Sequence, residues 1–111
     1  MAFDEALAKR VREQMVGIDG VVEKKMFGGL AFLVGGHMSV GVHGSDLIVR
    51  MNPQDAQAAL KKPGVRPFDI TGRPMKGWLF VSSASLSPPK SLLSWVTRGV
   101  QFARSLPAKA D

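Results

Sequence analysis

The segment Lys24-Lys25-Met26-Phe27-Gly28-Gly29-Leu30-Ala31-Phe32-Leu33-Val34-Gly35-Gly36-His37 constrains the fold more than any other stretch of the 111-residue chain. It sets a run of strand-forming side chains between two glycine pairs, and glycine is the residue that supplies the backbone geometry of tight turns and bulges. From Val22 onward the apolar period is two, the period of a strand.

Two hairpins follow from the glycine positions. In the second, Gly44-Ser45 forms a two-residue turn, so that His43 faces Asp46 and Ser39 faces Arg50. Met38, Val40 and Val42 then share a core face with Leu47, Val49 and Met51, and the opposite face carries Ile48 among mixed residues. In the first hairpin, Gly35-Gly36 as a two-residue turn places Leu33 and Ala31 on the core side and leaves Leu30 and Phe32 on the other. A bulge at Gly28-Gly29 or a three-residue turn changes that assignment. Leu30, Phe32 and Ile48 are therefore the candidate interface of a homodimer, with an extra chain segment folding over them as the alternative.

Around this sheet the period is helical. Residues 3–16 place Phe3, Leu7, Val11 and Met15 four apart, and Gly17 and Gly20 end that helix. Asn52-Pro53-Gln54-Asp55 caps a short Ala-rich helix that Pro63-Gly64 terminates. Residues 65–77 read mostly as loop, and Trp78 to Ser82 as a fifth strand. Ser87-Pro88-Pro89 introduces a final helix over residues 88–105, striped by Leu92, Val96, Val100 and Ala103. Gly99 inside it permits close packing on the sheet or the first helix, at about 1 kcal/mol of propensity relative to Ala. The expected fold is α+β: an antiparallel sheet of two hairpins plus a further strand, packed by N- and C-terminal helices. Its core holds Met38, Val40, Val42, Leu47, Val49 and an aromatic from residues 78–80.

A chain of 12.0 kDa supports one core, so residues 1–111 are expected to be a single domain. No apolar run is long enough for a membrane span and the first fifteen residues are too charged for a signal peptide, which makes the cytoplasm the expected compartment. The absence of cysteine removes disulfides, thiolate catalysis and thiolate-held metals, and fits a reducing compartment. A formal charge of +6 draws such a chain toward polyanions or acidic protein surfaces, yet the basic residues occur in pairs rather than blocks.

Lys25-Met26-Phe27-Gly28-Gly29, the strand after it, Gly36, Asp46-Leu47-Ile48-Val49-Arg50 and the proline-started helix together resemble the N-terminal domain of the TfoX/Sxy family of competence regulators. Arg66-Pro67-Phe68, the Gly72-Arg73-Pro74-Met75-Lys76-Gly77 turn and the helix around Trp95 extend the likeness over residues 5–106. The resemblance implies an α+β domain of bacterial proteins that regulate DNA-uptake genes, with no catalytic constellation to carry over. Such regulators usually have a second, C-terminal domain, so a stand-alone homologue is expected.

The residues themselves offer few chemical sites. The glycine pairs lack the lysine and hydroxyl at a helix start that make a phosphate loop, and Gly72 to Gly77 precedes a strand. His37 and His43, six apart on a strand rising about 3.3 Å per residue, are too distant to share one ion. An enzyme would have to pair one of them with Asp46 or Asp69 in a pocket. No cofactor, metal site or catalytic residue is expected. Lys24, Lys25, Arg50, Arg73 and Lys76 form the candidate polyanion surface, with Phe27 and Trp78 as conceivable base-stacking rings. No helix has a recognition-helix pattern, so the expectation is a non-enzymatic regulatory or interaction domain. Protein partners or self-association rank ahead of nucleic acid, and nucleic-acid binding through a basic surface is the alternative.

Overall fold

Asp4 decides where the first helix begins. Its Oδ1 accepts from the backbone N–H of Ala6 at 2.9 Å and of Leu7 at 3.2 Å, satisfying two otherwise orphaned donors, and α1 runs Glu5–Gln14. Phe3, expected inside this helix, instead makes a parallel bridge to Gly44. The computed structural model describes residues 3–26, 28–68 and 77–107.

Four strands follow: β1 Val21–Met26, β2 Gly29–Val34, β3 His37–His43 and β4 Asp46–Arg50. Both expected two-residue turns are present, since Val34 pairs with His37 and His43 with Asp46. Gly35 and Gly36 take φ of 61° and 84°, the doubly positive geometry that matches strand twist in a hairpin. Asn52 then caps α2, Pro53–Ala59, as expected, its Oδ1 accepting from the Asp55 N–H at 2.8 Å. The remaining elements are β5 Val65–Pro67, β6 Trp78–Val81, a 3-10 turn at Ser83–Leu86 and α3 Pro89–Ser105. Pro88 is the capping residue of α3 and no side chain caps it, so Ser87 does not play the part expected of it.

The six strands form one antiparallel sheet in the order β1-β2-β3-β4-β6-β5. β5 falls where a loop was expected, because three residues ending in proline carry no readable alternation. It is an edge strand whose outer side presents no free backbone donor. The bonds Ser82 N–H to Gly64 O and Phe68 N–H to Trp78 O turn residues 64, 66 and 68 toward β6. Of the two that face outward, Val65 donates to Lys62 O at 3.3 Å and Pro67 has no N–H.

Two expectations about side-chain direction are corrected by one residue. Pairing of β2 with β3 runs Phe32↔Val40 and then Leu33↔Met38, so Ser39 is an extra residue in β3, a β-bulge. It sends Met38 to the face opposite Val40 and Val42. Leu30, Phe32 and Val34 accordingly lie on the helix-covered side, and Ala31 and Leu33 on the other, the reverse of the simple register. The Ser39 hydroxyl is fully buried and donates to Phe32 O at 2.8 Å, so the buried polar group of the bulge has its partner.

The main core lies between sheet and helices. Leu30, Phe32, Val40, Val42, Leu47, Val49, Leu79 and Val81 meet Leu7 and Val11 of α1 and Leu92, Val96 and Val100 of α3. Gly99 is where α3 comes closest: a Cβ there would lie 2.7 Å from Val40 Cγ1 and closer still to the Ser39 carbonyl oxygen. A second, smaller cluster of Ala31, Met38, Ile48, Phe68 and Phe80, flanked by Met26, Leu33 and Trp78, occupies the other face. The aromatics of β6 belong to that cluster rather than to the main core, whose β6 members are Leu79 and Val81.

Candidate functional site

Trp95, Arg98 and Phe102 recur three and four apart along α3, which places them on one flank of the helix. That flank carries a row of alternating cations and rings. Lys62 Nζ lies 5.5 Å from the Trp95 ring centroid and the Arg98 guanidinium 5.4 Å from the same ring. Further along, the Arg50 guanidinium sits between Phe102, at 5.3 Å, and Trp78, at 5.2 Å. Each contact contributes about 0.5–1 kcal/mol at an exposed site, so the rings chiefly hold the cations in place. Among the described residues none of Arg50, Lys62 and Arg98 has a carboxylate within 4.0 Å.

Between α2 and this flank lies a groove of about 230 Å³ lined by Met51, Asn52, Asp55, Arg98, Gln101, Phe102 and Ser105. Its one acid is already engaged, because Asp55 Oδ2 accepts from Asn52 Nδ2 at 2.8 Å. The groove therefore presents a positive edge beside a capped helix start. It is suited to carboxylates and supplies no nucleophile with a base beside it.

Of the five basic residues that sequence grouped together, the sheet separates Lys24 and Lys25 from Arg50. Lys24 and Lys25 are exposed on β1, the outermost strand, whereas Arg50 is on β4, three strand spacings or about 14 Å away. Arg73 and Lys76 lie outside the described residues, as do Phe27 and Asp69. The three candidate interface residues are interior. Leu30 and Phe32 are 6% and 0% exposed beneath the helices, and Ile48 is 0% exposed in the second cluster. The helices cover Leu30 and Phe32, and Ala31, Met38, Phe68 and Phe80 enclose Ile48, all from within the chain, so the three offer no surface to a second copy.

The histidines separate as well. His37 Nε2–H donates to Pro107 O at 2.6 Å and ties the β2–β3 turn to the end of α3. His43 lies against Phe80 at 5.7 Å, opposite Asp46, whose carboxylate pairs with Arg66. Among the described residues no group of three or more His, Asp or Glu could hold a metal ion. Arg12 of α1 and Glu23 of β1 form a two-pronged pair at 2.7 and 2.8 Å. The hydrogen bond from Arg12 holds the Glu23 carboxyl below its ordinary value, and the same bond raises Arg12.

Lys62, Trp95, Arg98 and Phe102 were not singled out by sequence. The signal was present in the 95, 98, 102 spacing, but an apolar stripe of the same period hides it, and Lys62, in the segment after α2, joins only through the tertiary fold. Residues 13–103 match the family model described as the TfoX N-terminal domain, a span that includes the whole sheet and most of α3. No curated protein and no solved structure matches the chain.

Proposed function

The chain belongs to the TfoX N-terminal domain family, and from that membership we propose a non-enzymatic regulatory role exercised by docking on another protein. Membership supports the regulatory and protein-interaction role typical of that family. The observation that carries the docking reading is the row on α3. Its cations are prepositioned, lack carboxylate partners among the described residues, and already lie over the rings that base stacking would need. An acidic protein surface suits that arrangement. A single-stranded nucleic acid would need ring faces that are open.

We further take the 111 residues as one domain acting in the cytoplasm, consistent with the absence of cysteine. No described helix is long and apolar enough to cross a membrane. Nucleic-acid binding remains the second reading, supported by the charge of +6.

Partner capture from the native cells and DNA titration, run side by side, test the choice. The Lys62→Glu, Arg98→Glu double variant is expected to lose captured protein while the wild type shows no tight DNA binding. High-affinity DNA binding that weakens steeply with salt, together with capture that the double variant leaves unchanged, reverses the assignment.

A further inference from the structure

We infer that the outer edge of β1 binds an extended acidic segment of a partner protein as a seventh strand; the proposal rests on the docking role and adds to the α3 row a second contact of stated partner chemistry. Val34 and His37 close a two-residue turn, and the pair that closes such a turn is hydrogen-bonded. Val34, Phe32 and Leu30 therefore direct their backbone groups to β3, which leaves Leu33, Ala31 and Gly29 for β1. Their partners Val22, Lys24 and Met26 direct theirs to β2, while Val21, Glu23 and Lys25 direct theirs outward. Among the described residues the outward groups of Val21, Glu23 and Lys25 have no backbone partner. The far edge of the sheet offers no such ladder, since the two outward positions of β5 present no free donor.

The side chains select the occupant. A second copy pairing through a twofold axis must centre on one residue of β1: centring on Glu23 or Lys25 sets that charge directly against itself, and centring on Lys24 does the same while placing Lys25 opposite a Glu23 that Arg12 already holds. No such register gives both lysines a free carboxylate. Glu23 is already held by Arg12, which leaves Lys24 and Lys25 without an ion-pair partner among the described residues, one on each face of the sheet. Val22, 58% exposed, shares the Lys24 face. An antiparallel partner strand complementary to this edge reads acid, acid, any residue, apolar: carboxylates opposite Lys25 and Lys24, and an apolar side chain opposite Val22.

The probe is a labelled peptide of sequence threonine-aspartate-glutamate-threonine-valine-threonine, compared with its asparagine-glutamine counterpart by fluorescence anisotropy and by amide hydrogen exchange of the full chain. The acidic peptide is expected to bind more tightly than the amide peptide and to slow exchange at Glu23 and Lys25. Paired Lys24→Glu and Lys25→Glu changes weaken it about 2- to 30-fold, from two cross-strand charge pairs. Lys25→Pro removes an outward donor, leaves the β1–β2 ladder intact and abolishes binding. Should that variant fail to fold, N-methylation of the peptide at its aspartate, fourth and sixth residues makes the same test on the unaltered protein. Equal binding of the two peptides, or peptide protection confined to amides away from β1, overturns the proposal. So does exchange showing Glu23 and Lys25 already protected in a dimer of the chain alone. If Lys25→Pro captures the same cellular partner as the wild type while Lys62→Glu, Arg98→Glu does not, the edge proposal fails and the docking role stands. Failure of both, with DNA bound, removes the docking role itself.

Discussion

Gly99 gives up about 1 kcal/mol of helix propensity relative to alanine, and the sheet beneath it explains why. Because a Cβ would press on Ser39 O and Val40 Cγ1, Gly99→Ala is expected to destabilise the protein by about 1–3 kcal/mol in urea denaturation, despite the propensity gain. Unchanged or increased stability would mean that α3 can lift off the bulge without cost. A larger loss, about 3–5 kcal/mol, is expected for Phe68→Ala in the same assay. Its ring is 2% exposed and lies 5.0 Å from Phe80 and 5.4 Å from Trp78. Sequence marked Gly99 as a position of close approach but not what it approaches, since periodicity within α3 carries no information about the strand opposite. The buried position of Phe68 was equally hidden, in a stretch read as loop.

At the scale of elements, turns were more legible than faces. Glycines at 35, 36 and 44 fixed two hairpin registers, because turn geometry is local. Facing is not local: one additional residue, Ser39, inverts every assignment on its N-terminal side, and nothing in the string Met38-Ser39-Val40 distinguishes a bulge from regular alternation. The observed pairing implies that a variant lacking Ser39 retains all other cross-strand partners, since Met38 would still lie opposite Leu33 and Val40 opposite Phe32. Its amide-exchange pattern in β2 and β3 is expected to match the wild type at reduced stability; a shifted pattern counts against this reading of the bulge. The α1–β1 pair makes a separate prediction. Arg12 lowers the Glu23 carboxyl in the folded chain, so the contribution exists above the unfolded carboxylate range and is lost as pH falls through the folded value. Glu23→Gln should therefore lower stability by at most about 1 kcal/mol at neutral pH, as befits a surface pair, and the gap from wild type should close in acid.

Across the whole molecule, the α+β architecture was readable because strand and helix periods occupy separate stretches of chain, whereas the candidate site required distances between stretches. Positive charge is the clearest instance. A composition of +6 suggests one surface, but the sheet holds Lys24 and Lys25 apart from Arg50, and α3 collects a different set. The two ends of the sheet are unequal too. With Val65 donating back to Lys62 and Pro67 lacking an N–H, the β5 end presents no free outward donor, whereas the β1 end does. If the β1 edge takes a partner strand, strand addition has one donor-bearing edge to use, so concentrated solutions of the complex should scatter light as discrete particles instead of growing filaments.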